Sequence, residues 1–156
     1  MSAEALGRTA DLDDEVAVLG RVPLFRSVDP AKLKLLAFAS DRMTYAPGEA
    51  LFAAGEPGDA AYVILSGTAG IYAEGEVGPR EVAKAGTHEI VGEIAVLCEV
   101  PRTATVRALT ELTALCITRE MFFRMVREFP EMAIEIMRHL ARRLEETTDR
   151  LRRVGL

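Results

Sequence analysis

VGEIAVLCEVPRTATV, residues 91–106, places a Gly-Glu pair at its head and a lone arginine, Arg102, near its tail. Between them runs a segment apolar enough to be buried, broken by Glu99 and Pro101. Gly92 permits a sharp turn or a close backbone approach. EIAVL, directly after it, has the length of one short helix. A helix start carries unpaired N–H groups and a partial positive charge, which suits a phosphate. Arg102 adds a planar cation whose fork matches phosphate oxygens. Pro101 restricts the backbone before it, and Thr103 contributes a hydroxyl. Glu93 cannot take a phosphate, because like charges repel. It can accept hydrogen bonds from sugar hydroxyls or help fix Arg102. The pattern describes a ligand with a phosphate at one end and a hydroxylated sugar beside it. A ligand-free reading stays open: a buried Glu93–Arg102 salt bridge.

Outward from this stretch the chain divides into three zones. Residues 1–42 are read as helical, with Val16 and Leu19, then Leu33, Leu36 and Ala37, at helical spacing. Asp29 followed by Pro30 is a cap and first-turn pair. Residues 43–117 are punctuated by glycines, with short β-branched or aromatic runs such as AYVIL and LTALCIT between them. Short strands with frequent turns predict an antiparallel sandwich or barrel. Residues 118–156 return to helix. Thr118 is placed to cap REMFFRMVREF, whose Met121, Phe122, Met125, Val126 and Phe129 share one face. After Pro130, Ala133, Met137, Leu140, Leu144, Thr147, Leu151 and Val154 alternate by fours and threes. That is a seam for packing, either against the chain's own barrel or against a second helix of the same kind.

At 156 residues, 49% hydrophobic and 28% charged, the chain has the size and composition of one soluble globular domain. The net charge of −5 argues against general nucleic-acid binding, and the basic RLRRVGL tail reads as a solvated helix end. Cys98 and Cys116 form no metal-ligand spacing and read as reduced core thiols of a cytoplasmic protein. No apolar run approaches the roughly 20 residues of a membrane span, and the acidic N-terminal segment lacks a signal-peptide core.

The 91–106 stretch resembles the phosphate-binding cassette of cyclic nucleotide-binding domains. In that family an aromatic-Gly-Glu start leads, after a short spacer, to Pro-Arg-(Ser/Thr/Ala)-Ala-(Thr/Ser)-Val. YAPGEALFAAGEPGDAAYVILSGTAGIY resembles the family's first barrel strands and RVPLFRSVDPAKLKLLA its entry helices, so the likeness runs from about Val22 past Leu144. It implies a single α+β, mainly β domain: an antiparallel β jelly-roll (double-stranded β-helix) flanked by N-terminal helices and two C-terminal helices. It also implies that Gly92 and the amides of Ile94 and Ala95 hold the cyclic phosphate, with Ala104 in the same cassette. Glu93 takes the ribose 2′-hydroxyl, and Arg102 binds exocyclic phosphate oxygens with help from Thr103. Ile71 and Val82 are candidates for the wall around the base. The last helix is the lid, with Leu140, Arg143 and Leu144 as candidates. Two departures touch the cassette entrance: Val91 stands where the family has an aromatic, and AGTHEIV is longer than the usual turn.

The implied function is non-catalytic: reversible binding of a cyclic nucleotide, cAMP favoured and cGMP left open by Thr103. No other cofactor and no metal is implied. The partners implied are the nucleotide and a homodimer through the last helix. DNA reading is not expected of this chain alone, because no helix-turn-helix follows the sensor. A cupin enzyme shares the barrel but needs several inward histidines, whereas this chain has two, His88 and His139. A fragment of a larger regulator, channel or enzyme, and a ligand-free scaffold of the same fold, remain as alternatives.

Overall fold

The glycine-punctuated middle of the chain forms eight strands, all of whose pairings are antiparallel. The computed structural model describes the backbone of residues 3–153 and the side chains of residues 11–153. Two helices precede the strands, α1 (Ala3–Leu19) and α2 (Pro30–Ala39), with a 3-10 turn at Pro23–Phe25 between them. The strands are β1 (Asp41–Tyr45), β2 (Ala50–Phe52), β3 (Ala60–Ser66), β4 (Ala69–Gly75), β5 (Gly78–Ala85), β6 (Ile90–Val91), β7 (Thr105–Ala108) and β8 (Leu112–Thr118). A short helix, α3 (Glu93–Cys98), interrupts them, and α4 (Arg119–Glu128) and α5 (Glu131–Arg153) follow. One sheet runs β1-β8-β3-β6 and the other β2-β7-β4-β5, the two faces of a jelly-roll.

The helix ends form where local chemistry dictates. The Asp29 carboxylate accepts from the Ala31 N–H at 3.0 Å, with Pro30 in the first turn of α2. The Thr118 hydroxyl accepts from the Met121 N–H at the start of α4. Pro130 separates α4 from α5, because the residue before a proline is pushed out of the helical region, and Phe129 sits at φ −128° and ψ 83°.

Strand β3 is buried at five successive residues, Ala60 to Ile64, since both its faces are covered. Ala61 and Val63 join Leu115 and Ile117 of β8 in a cluster with Leu19, Leu24, Phe25, Leu33, Phe122 and Met132 from the helices. Ala60, Tyr62 and Ile64 join Leu112 and Ala114 in the barrel interior with Tyr45, Phe52 and Val91. Each large side chain so buried contributes about 1.5–3 kcal/mol.

One sequence expectation changes. Cys98 is exposed rather than part of the core, because it lies in the last turn of α3 while Glu93, Ala95 and Val96 take that helix's inner face. Cys116 is half-buried, and both thiols are free. The α5 seam does not pack along its length against the barrel. Helix α5 buries Met132, Glu135 and Ile136; Leu140 packs on the helix-side core, but Met137, Leu144 and Leu151 are 61%, 68% and 47% exposed. Val154 lies outside the described residues. Among the described residues, no helix is long and apolar enough to cross a membrane.

Candidate functional site

Strand β6 pairs with β3 through Val63↔Ile90 and Tyr62↔Val91, and so delivers the chain to Gly92 at the mouth of the barrel. Gly92 adopts φ +81°, a conformation that costs an L-residue roughly 1–2 kcal/mol. The turn starts α3 with Glu93 as its first residue. Glu99, at φ 53°, ends the helix. The chain then returns along the loop between β2 and β3. The Arg102 N–H donates to Glu56 O and the Gly55 N–H to Arg102 O, both at 2.8 Å. The Ala54 N–H donates to Thr105 Oγ1 at 2.9 Å. Gly58 packs so closely under α3 that an added Cβ would lie 2.4 Å from the Ala95 Cβ.

This folding buries two opposite charges without pairing them. Arg102 is 4% exposed and Glu93 2%. The Arg102 guanidinium donates from Nη1 to Gly92 O at 2.9 Å and from Nη2 to Ala60 O at 2.6 Å. It lies over the Phe52 ring, 4.1 Å from the centroid, a cation–π contact. Its nearest carboxylate is Asp59, at 3.6 Å, which is itself exposed. Its buried Nε has no partner. Burial pushes the guanidinium's proton affinity down, against smaller upward effects from neighbours including Tyr62 and Asp59. Glu93 instead faces α5: Oε1 lies 2.7 Å from His139 Nε2 and 3.6 Å from Arg143 Nη1. The direct Glu93–Arg102 salt bridge left open by the sequence is not formed.

A cavity of about 320 Å³ opens on this pair. Ten of the twelve residues singled out in the sequence line it: Ile71, Val82, Gly92, Glu93, Ile94, Ala95, Arg102, Thr103, Ala104 and Arg143. Ile71 and Val82 reach it from the β4–β5 ladder, where the register passes from Ile71↔Ala83 to Tyr72↔Glu81 and leaves Val82 as the extra residue of a bulge. Of the lid candidates, Arg143 lines the cavity while Leu140 and Leu144 do not. In their place α5 brings Glu146, Thr147 and Arg150.

Sequence reasoning missed Phe52, which carries the Arg102 cation, and His139. Nothing in ALFAAGE marks Phe52 as more than a core residue. His139 had a readable signal: it stands four residues before Arg143, so on a helix the two share a face. Val91, where the family has an aromatic, is buried in the barrel interior. The longer turn before it carries His88, at φ 74°, with its N–H bonded to Ile64 O.

Residues 42–129 match the family model described as the cyclic nucleotide-binding domain. The chain is 30% identical over 135 residues to a CRP-like cAMP-activated global transcriptional regulator of Mycobacterium tuberculosis, covering 86% of this chain and 60% of the relative. It is 37% identical over 110 residues to a cAMP-dependent protein kinase regulatory subunit of Emericella nidulans, covering 70% of this chain and 26% of that one. Among solved structures, the Thermus thermophilus catabolite activator protein superposes with a TM-score of 0.78 at 30% identity, over 85% of this chain and 63% of that one. The chain thus spans 60% and 26% of the length of these two curated relatives, less than two thirds of each.

Proposed function

The chain belongs to the cyclic nucleotide-binding domain family, and from that premise we propose that it is a cyclic nucleotide sensor, with cAMP as its favoured ligand. The observation that carries this reading is the state of Arg102. It is a cation held out of water on a cavity wall, with an unmet Nε and no close buried counter-charge. Such a group is costly unless an anion completes it. A cyclic phosphate would supply that anion, with the N–H groups of Ile94 and Ala95 and the Thr103 hydroxyl as further donors. Glu93 would accept from the ribose 2′-hydroxyl, while Ile71 and Val82 would flank the base. The preference for cAMP over cGMP draws support from the relatives, whose names couple them to cAMP.

The proposed mechanism is a population shift. Phosphate capture tightens the segment from Gly92 to Arg102. The segment moves against α4, the chain at Glu128–Pro130 acts as hinge, and α5 closes over the base. The output is a change in the exposure of the outer α5 seam at Met137, Leu144 and Leu151, and with it homodimer pairing. The protein does no chemistry on the nucleotide in this reading.

Calorimetric titration with cAMP and with cGMP, beside Arg102→Ala, tests it. Binding of cAMP in preference to cGMP, weakened about 100-fold or more in the variant, is expected when charge-assisted contacts each contribute about 1.5–3 kcal/mol. A folded protein, freed of carried-over nucleotide, that binds neither ligand would overturn the reading.

A further inference from the structure

Glu93 is held from α5. His139 Nε2 and Arg143 Nη1 both approach its Oε1, at 2.7 Å and 3.6 Å. Glu93 also lines the cavity, so α5 and a ligand hydroxyl would share one carboxylate. Of the two gripping side chains, the shorter and closer contact belongs to His139, which is partly buried.

We propose that His139 is a positioning residue for Glu93 and that its proton is linked to ligand binding. This rests on the reading of the cavity as a cyclic nucleotide site. The ligand is a phosphodiester monoanion, and it enters a cavity that already holds the buried Glu93 carboxylate. Burial leaves their repulsion poorly screened. A positive charge behind Glu93 offsets it. Arg143 supplies a fixed one at 3.6 Å; histidine is the side chain whose charge ordinarily changes near neutrality. Ligand binding therefore favours the protonated imidazole. By reciprocity, the protonated imidazole tightens the ligand.

The other charged groups facing the cavity are Lys84, Glu89, Arg102, Glu146 and Arg150. Glu93 reaches α5 from α3; the 3-10 turn of Pro23, Leu24 and Phe25, which carries no charge, and α4, whose buried face is Phe122 and Met125, also pack on α5, and on α5 itself Glu135, one turn before His139, pairs with Arg138 at 2.9 Å. The second histidine, His88, lies on a different cavity beside α1.

The test is calorimetric titration of cAMP into the whole chain at about pH 6 and about pH 8, where a histidine changes charge, each in two buffers of different ionisation heat. The expected result is a Kd lower by roughly three- to tenfold at the lower pH, with proton uptake on binding. His139→Gln keeps a donor for Oε1 and is expected to bind with a flat pH profile. NMR of the His139 imidazole on adding cAMP at fixed pH reads the same proton without any substitution. Binding that is flat with pH and takes up no proton overturns the inference and leaves the sensor reading intact. A slope that persists in folded His139→Gln overturns it as well. No binding at either pH overturns both the sensor reading and this one.

Discussion

Gly92→Ala compared with Gly48→Ala isolates how firmly the site is built. Both glycines have left-handed backbones, φ +81° and +91°. Alanine in that region costs roughly 1–2 kcal/mol, less about 0.4–1 kcal/mol gained from a stiffer unfolded chain. At Gly48 nothing lies within 4 Å of an added Cβ, so this net cost of about 0.5–1.5 kcal/mol is the whole effect. At Gly92 the new Cβ would lie 2.6 Å from Arg102 Nη1 and 3.0 Å from Phe52 Cε2. A guanidinium on the surface would swing away at little cost. Arg102 cannot do so freely, because two carbonyls and the Phe52 ring hold it. Moving it breaks a hydrogen bond to a charged group, adding about 1.5–3 kcal/mol. Urea unfolding should therefore place Gly92→Ala about 1.5–3 kcal/mol below Gly48→Ala, a midpoint shift of about 1 M for a typical slope. Nucleotide affinity should fall in the first variant only. Equal stabilities, within about 0.5 kcal/mol, would refute the claim that Arg102 is locked in place.

Leu144→Asp and Met137→Asp should weaken self-association at least about tenfold in sedimentation, yet leave barrel stability nearly unchanged, because both side chains are exposed; a wild-type chain that stays monomeric at every concentration would remove the proposed seam. Burial raises the affinity of Glu15 for its proton, against the opposing hydrogen bond and charge of Arg42. Wild-type stability should then fall as pH rises through the native Glu15 titration, whereas Glu15→Gln should not follow. The variant's stability relative to wild type should climb from about pH 4 and then level off, and a constant gap in urea unfolding would contradict that sign. A thiol reagent should label exposed Cys98 first and Cys116 slowly, since burial pushes the Cys116 thiol up; mass spectrometry of the first adduct decides the order.

The parts legible in the sequence were those governed by local rules. Asp29-Pro30 and Thr118 name their own caps, and the turn glycines delimit the strands. The Gly92–Arg102 stretch announces a charged site, because an apolar run rarely carries two opposite charges without cause. Long-range contacts were less legible. Phe52 beneath Arg102 depends on β2 pairing with β7, a register shifted between Ala50 and Phe52 that no periodicity encodes. His139 against Glu93 depends on where a helix 46 residues away comes to rest. The α5 seam is legible as a period, yet period alone does not choose between the barrel and a second helix. That choice turns on which helical face Met132 and Ile136 claim first.

Strand β3 separates the two hydrophobic clusters, and this bears on how such a chain can drift over generations. A strand with one wet face can change every second residue freely; β1, with four exposed positions of five, has that latitude. At Ala60–Ile64 every substitution enters one cluster or the other, and a one-residue slip would exchange their contents wholesale. A saturation library of this chain should show β3 as an unbroken band of intolerance beside a permissive β1. The wall between the cores is where the lineage has least freedom to experiment, and novelty should accumulate at the outer helices instead.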